Sequence, residues 1–563
     1  MDSGNAALSN SEIADRLMTL SQLLPANKEN FYKRKAYRRA AIQLRSMSES
    51  IEDLVRDNAD LTQFPGIGPG IRNAIEEIVR SGTLRKLEIL RSQSPDPLLD
   101  ISRYPRLDPK RVLRIFKKLH IASISSLKEK LESGEIANVL GLRMAQHVQQ
   151  GLSETHALLL HQADRLCSTV QDFLIDKCKV KRAEPVGSIR RRTELIEELS
   201  FLIETDDFPS IISKIERFGG RSTLLHSDHR SARFALSSEI FLDIRVASEE
   251  DWGQALIEST GSRRHVRKLG AATGGLKALI QSKGPFATEA DFYRAGGLAW
   301  IDPELREGYD EVQRAAEGRL PVLVSLTDLR GELHAHTLSS DGTASILDMA
   351  EGAASVRYEY IGITDHSQSL KIANGVPADE LWKQIRFIDR LNEKSSAVRI
   401  LKSAEVDILA DGSLDYPDDL LKELDYTVCS IHSRFGQNKL QQTERLLRAM
   451  DNRYFNILGH ATGRLLLKRP GYEIDIERLA THARQAGCFF EINCSPDRLD
   501  LSAENARIVS AAGVKVAIST DAHAIGDFRT ARYGVDQARR AGIEKSSVLN
   551  SLPWNSLCRL FKR

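Results

Sequence analysis

The chain has 563 residues, too many for one hydrophobic core, so several domains are expected. With 41% hydrophobic and 28% charged residues it has the composition of a soluble globular protein, and no apolar run reaches the roughly 20 residues that cross a bilayer. A net charge of +2 creates no global field, so any contact with nucleic acid must come from local basic patches. The opening MDSGNAALSNSEIADRL carries neither a basic leader nor an apolar signal segment, so a cytoplasmic, nucleoid-associated monomer with no membrane partner is the expectation. Six scattered cysteines without a C-x-x-C pair read as reduced thiols.

Residues 1–95 read as amphipathic helices, with the basic stretch ENFYKRKAYRRAAIQLRSM as either a DNA-facing or a merely solvated helix face. The segment LTQFPGIGPGIRNAIEEIVRSG follows, in the order helix, tight turn, helix. Gly66, Gly68 and Gly70 let the backbone turn sharply and leave N–H groups at a helix start free to grip a phosphate oxygen, a contact independent of base sequence. Residues 96–155 read as a fingers-like helical domain with two decayed copies of that hairpin. Arg106 and Asp108 replace the glycines in one copy, and in the other only Gly141 remains, with Arg143 replacing its partner.

Residues 156–320 change character, with a helix, the stretch GSIRRRTELIEELSFLI, a strand EIFLDIRVAS and the segment STGSRRH. GLAWIDPELREG and AAEGRLPVLVSLTDLRG read as loop and linker. From 321 to 563 short β-branched strands alternate with amphipathic helices, the pattern of an α/β layered or barrel domain. The fold class is therefore multidomain, α+β followed by α/β.

The densest chemistry lies in this last part. His334 and His336, two apart on a strand, project from one face. Asp341, His366, Glu405, His432, His460, Asp521 and His523 follow at or just beyond the ends of successive short strands. In a parallel α/β domain those ends meet on one face. One histidine at a strand end is ordinarily structural, but six histidines and three carboxylates so placed point to a metal cluster. Mixed imidazole and carboxylate donors suit zinc, manganese or iron and do not choose among them.

This succession resembles the PHP family, named for polymerase and histidinol phosphatase, whose fold is a distorted (β/α) barrel. The resemblance implies that His334, His336, Glu405 and Asp521 hold one metal. Glu405 would bridge to a second held by His432 and His460, and Asp341, His366 and His523 would hold a third. EINCSPDRLDLS also resembles the polymerase-linked branch, with Asn493 and with Arg498 as a phosphate contact or, alternatively, a surface ion pair.

The hairpin domain, GSIRRRTELIEELSFLI and STGSRRH together resemble the family X DNA polymerases, and the whole layout resembles the bacterial members that end in a PHP domain. That resemblance implies a nucleotidyltransferase-like palm in which Asp-x-Asp and a third Asp hold two magnesium ions. Here Glu198 and Ser200 stand at the first two positions and only Asp243 is kept. A serine hydroxyl cannot bridge two dications, and Glu198 is one methylene too long for a geometry that tolerates little displacement. Ser188 and Arg191, the phosphate-holding positions, are retained. Glu258 and Ser259 replace two pocket aromatics, Val266 replaces an asparagine, and Ala74 stands where some members carry a Schiff-base lysine.

The expectation is a DNA repair enzyme acting on gapped, nicked or 3′-ended DNA. Two or three divalent ions, Mn2+ or Zn2+ first and Fe2+ as an alternative, would serve 3′–5′ exonuclease or baseless-site cleavage, and magnesium in the core is doubtful. A gap-filling polymerase, a phosphomonoesterase and a pure binding module are the rival readings.

Overall fold

The computed structural model describes residues 8–24, 28–93, 107, 109–121, 123–152, 157–237, 240–394 and 398–562. It divides into two compact units, Met1–Trp300 with Arg306–Val312, and Ile301–Leu305 with Gln313–Arg563. No helix among the described residues is long and apolar enough to cross a membrane.

In the first unit, helices Asn10–Leu23, Lys28–Arg45, Ile51–Arg56, Pro69–Ser81 and Arg85–Gln93 share one core that includes Leu17, Leu44, Ile75 and Ile78. The first helix opens on a capping box, in which the Ser9 side chain accepts from the Glu12 N–H and the Glu12 carboxylate accepts from the Ser9 N–H. Helix Pro69–Ser81 turns Ile71, Ala74, Ile75 and Ile78 inward, the spacing of a single apolar stripe. Four further helices, Pro109–Leu119, Ile124–Glu132, Glu135–Leu140 and Leu142–Leu152, enclose a separate small core around Val112, Leu127 and Val148. Of the positions expected to mark two decayed hairpins, Arg106 and Asp108 lie outside the described residues, and Gly141 joins the last two helices with a φ of +88°.

The palm-like part follows. Strands β1 (Leu158–Leu159) and β3 (Leu195–Ile196) form a small antiparallel pair. Strands β2 (Arg182–Val186), β4 (Glu198–Glu204), β5 (Thr223–Ser227), β6 (Ser231–Ala235) and β7 (Phe241–Val246) form a sheet in the order β2-β4-β7-β6-β5. β4 and β7 run parallel, with Ser200 opposite Asp243, and β6 pairs antiparallel to β7, with Arg233 opposite Asp243. Alternation along β4 buries Leu199 and Phe201 and leaves Glu198 and Ser200 on the other face.

The stretch expected as loop and linker is more ordered than its Gly and Pro content suggested. It holds short helical turns at Pro303–Leu305 and Leu326–Asp328 and overlaps helix Glu311–Ala316. Burial explains that helix: the Glu311 carboxylate lies 2.6 Å from Nδ1 of the fully buried His265 and accepts from the Gly308 N–H at 2.8 Å.

The second unit is built on parallel strands. β8 (Gly331–Ala335), β9 (Tyr360–Ile363) and β10 (Arg399–Lys402) form one sheet. β11 (Glu405–Asp407), β12 (Val428–Ser430), β13 (Ile457–Leu458), β14 (Phe489–Asn493) and β15 (Val516–Ser519) form the other. Parallel bridges from Ala335, at the end of β8, to Ala522, past β15, and from His366, past β9, to Glu405 on β11 join the two sheets, so the strands close into a distorted barrel. Closure gathers the loops after the strands on one face, and that face carries the site.

Candidate metal centre

β8 carries His334 and delivers His336 one residue past its end, with ring centroids 5.1 Å apart. His366 follows β9, Glu405 opens β11, His432 follows β12, His460 follows β13, and Asp521 and His523 follow β15. Asp341 arrives on the loop after β8. That loop needs glycine at 342, because a Cβ there would lie 2.6 Å from the His336 carbonyl.

Glu405 lies at the centre. Its Oε2 is 3.5 Å from His334 Nε2 and 3.6 Å from His336 Nε2, and its Oε1 is 2.8 Å from His460 Nε2 and 3.4 Å from His432 Nε2. Asp521 Oδ1 closes the first group, 3.1 Å from His336 Nε2 and 3.6 Å from His334 Nε2. Asp341 Oδ1 lies 3.3 Å from His523 Nε2, 3.5 Å from His366 Nε2 and 3.9 Å from His336 Nδ1. All nine sequence-derived positions thus meet at one place. His366 departs from the expected partition: its Nδ1 stands 2.7 Å from Glu405 Oε2, out of hydrogen-bonding alignment, so its ring touches both the Glu405 and the Asp341 groups.

The donors fit divalent cations. Ligand atoms of His334, His336 and Asp521 converge within 4.8 Å, as do those of His366, Glu405 and His432, and those of His336, Asp341, His366 and His523. His334 Nε2, His336 Nδ1, His460 Nδ1 and Glu405 Oε2 are buried without a hydrogen bond. Polar atoms left so at a cost of about 1–3 kcal/mol each call for a ligand that protein groups do not supply. Backbone strain points the same way, since His460 and Asp521 sit at φ of +26° and +53°, a conformation non-glycine residues adopt mainly where function over-determines it.

Electrostatics within the cluster oppose burial and largely win. Burial pulls the His334 imidazole down, but Glu491, Asp521 and Glu405 hold it well above the ordinary histidine range. Burial likewise opposes His366 and His523, which Glu405 and Asp341 nonetheless push up to about 10 and about 9. His336, burdened by burial and by neighbouring His366, falls to about 4. Asp341, Glu405 and Asp521 are depressed by the surrounding imidazoles against the effect of burial.

Three carboxylates behind the cluster escape a motif reading. Glu491, on β14 and fully buried, lies 2.6 Å from His334 Nδ1 and accepts from the His460 N–H at 2.7 Å. Asp407, on β11, lies 2.5 Å from His432 Nδ1. Each fixes a tautomer whose Nε2 faces the cluster. Glu332, on β8, accepts from the His334 and Thr520 N–H groups and from the Thr520 hydroxyl, tying β8 to β15, and burial pushes it up to about 7. Asn493 donates to both Glu491 and Asp521 at 3.1 Å. Arg498 places its Nε 3.6 Å from Asp521 Oδ2, at the edge of the cluster.

The other predicted positions lie in the first unit. Gly68 caps helix Pro69–Ser81, Gly66 has a φ of +83°, and nothing lies within 4 Å of where a Cβ would stand at Gly66, Gly68 or Gly70, so the turn is open. Ala74 is buried in the helical core and offers no amine. In the β2-β4-β7-β6-β5 sheet, Glu198 and Asp243 face each other, and burial together with Glu198 pushes Asp243 up to about 6. Ser188 lies on the short helix Gly187–Arg190, whose first residue, Gly187, approaches Ser200. Arg191 is engaged within the protein: it pairs with Glu307 at 3.0 Å and donates to the Thr260 carbonyl at 2.8 Å.

Known proteins align with this arrangement. A helix-hairpin-helix domain family matches residues 8–84 and the PHP domain family matches residues 332–495. The "DNA polymerase/3'-5' exonuclease PolX" of Bacillus subtilis (strain 168) is 32% identical over 558 residues, covering 96% of this chain and 97% of that protein. A "Probable phosphatase" of Thermoanaerobacter sp. (strain X514) is 32% identical over 231 residues, 39% of this chain and 89% of its own length. Another from Clostridium acetobutylicum is 31% identical over 211 residues, 35% and 81% of the two chains.

Proposed function

Because this chain belongs to the bacterial family X DNA polymerases that end in a PHP domain, we propose that its working active site is the nine-residue cluster, which hydrolyses phosphodiester bonds at DNA 3′ ends. The observation that carries this reading is the convergence of six histidines and three carboxylates, Glu405 central among them, with buried, unpartnered ligand atoms. His334, His336, Asp521 and Glu405 would hold one ion, Glu405, His432 and His460 a second, and Asp341 and His523 a third shared with His366. Mn2+ or Zn2+ suits these donors best, with Fe2+ as the alternative. When bound, such ions supply Lewis acidity toward phosphate oxygens and activate water for attack.

The chain's own groups do the rest. Glu491 and Asp407 hold His334 and His432 with Nε2 turned inward. Arg498, at the cluster's edge, offers N–H donors to a phosphate oxygen. The open turn at Gly66–Gly70 grips the DNA backbone through first-turn amides, independently of sequence. Cleavage at baseless sites belongs to the same chemistry, because hydrolysis needs no protein nucleophile.

The palm of this chain has lost or nearly lost polymerisation and serves to hold DNA, since Ser200 supplies no charge and Arg191 is tied to Glu307. A second reading, phosphomonoester hydrolysis, is favoured by the relatives named phosphatases, which match 39% and 35% of this chain. One gel separates these: a 5′-labelled primer on a gapped template, with Mn2+ or Mg2+, with and without nucleotides, beside a 3′-phosphorylated primer. Shortening regardless of nucleotides supports the proposal, lengthening overturns the reading of the palm, and loss of the 3′-phosphate alone favours the monoesterase.

A further inference from the structure

Family X chemistry implies a magnesium pair in the palm, and the donors present do not fit it. Two carboxylates remain, Glu198 on β4 and Asp243 on β7, with the neutral Ser200 between them on the same face. A third charged group from β6 already joins them. Arg233 lies opposite Asp243 in the ladder, places Nη2 3.2 Å from Glu198 Oε2 and Nη1 3.3 Å from Asp243 Oδ2, and rests over the Phe241 ring at 5.1 Å. Each guanidinium nitrogen takes a different carboxylate, so the positive charge sits where a bridging dication would draw the same oxygens together.

We propose that Arg233 is the palm's own cation: it has replaced the divalent ions at Glu198 and Asp243, so this part of the chain works metal-free. An ion entering there must displace the guanidinium and then find only two anionic ligands. It follows that restoring aspartate at 198 and 200 leaves the site obstructed unless Arg233 is removed too. The inference rests on the reading of the palm as non-polymerising, but ion counting tests it independently of any nuclease or primer assay.

The experiment counts Mn2+ bound per full-length chain, by electron paramagnetic resonance of the free ion. Glu198→Gln combined with Asp243→Asn should bind as many ions as the natural chain. Arg233→Met should bind one more, and the triple variant should lose that extra ion. Fewer ions on the carboxylate double variant, or no extra ion on Arg233→Met, would overturn the proposal. Arg233 is 43% exposed, so its substitution is tolerable, and if that variant nevertheless fails to fold the carboxylate pair alone still decides.

Discussion

Replacing Glu491 by glutamine removes one negative charge from behind His334 while keeping size and shape. In the native chain one carboxylate oxygen meets His334 Nδ1 at 2.6 Å and the other accepts from the His460 N–H at 2.7 Å, all of it buried. An amide has one acceptor end, so either the imidazole or the His460 amide then faces an NH2 group and loses its partner. A buried donor left unsatisfied costs about 1–3 kcal/mol, and loss of a carboxylate behind a ligating imidazole weakens metal affinity about 10–100-fold. Chelator competition on the full-length chain reads the second effect, and urea unfolding in EDTA reads the first. The variant should bind Mn2+ or Zn2+ at least tenfold more weakly and lose stability within that range. Affinity within twofold of the natural chain would refute the assignment of Glu491 as the group that orients His334.

Other outcomes follow from the same geometry. His366 and His523, raised to about 10 and about 9, stabilise the metal-free fold fully below the unfolded histidine value of about 6.5. That contribution is lost as pH rises through about 9 to 10, so the thermal midpoint in EDTA should fall between pH 7 and 10; a midpoint that climbs over that range would contradict it. Because the same imidazoles must shed protons to ligate, metal affinity should rise from pH 6 to 8.5 with proton release visible by calorimetry in buffers of different ionisation enthalpy. Glu289 is buried against Arg190 and Arg306 at 2.7 and 2.6 Å and held down at about 2 by those pairs against burial, and its change to alanine removes the carboxylate that both guanidinium groups share. The expected loss is about 3–5 kcal/mol in urea unfolding, and a change under 1 kcal/mol would argue against the pairing.

The nine donors were legible because parallel strands end on one side of such a domain, so residues just past each strand must meet whatever the loops do. Glu332, Asp407 and Glu491 were not singled out, although a signal existed. Each is a carboxylate inside a fully or nearly fully buried strand, GELHA, EVD and FFEIN, and a carboxylate placed there must find a partner. What no spacing rule supplies is the partner's identity, which depends on which strands become neighbours. The shared position of His366 has the same origin, since its bridge to Glu405 forms where the two sheets join. In the β2-β4-β7-β6-β5 sheet, Glu198, Ser200 and Asp243 could be picked out from the sequence, whereas Arg233 in SARFA is an ordinary strand residue until β6 is laid beside β7. Arg191 likewise matched a phosphate-holding position, and only its pairing with Glu307, 116 residues away in sequence, shows that it is occupied.

The most direct test of the central claim is the 3′-end hydrolysis assay on two full-length variants, His336→Ala and Asp521→Asn. Each removes a donor of the Glu405-centred cluster, and the second also deletes a charge facing the ions. Both should lose nuclease activity by at least a hundredfold, on the order of 2.7 kcal/mol or more of transition-state stabilisation. Primer shortening at the natural rate by both variants would place the hydrolytic site elsewhere in the chain.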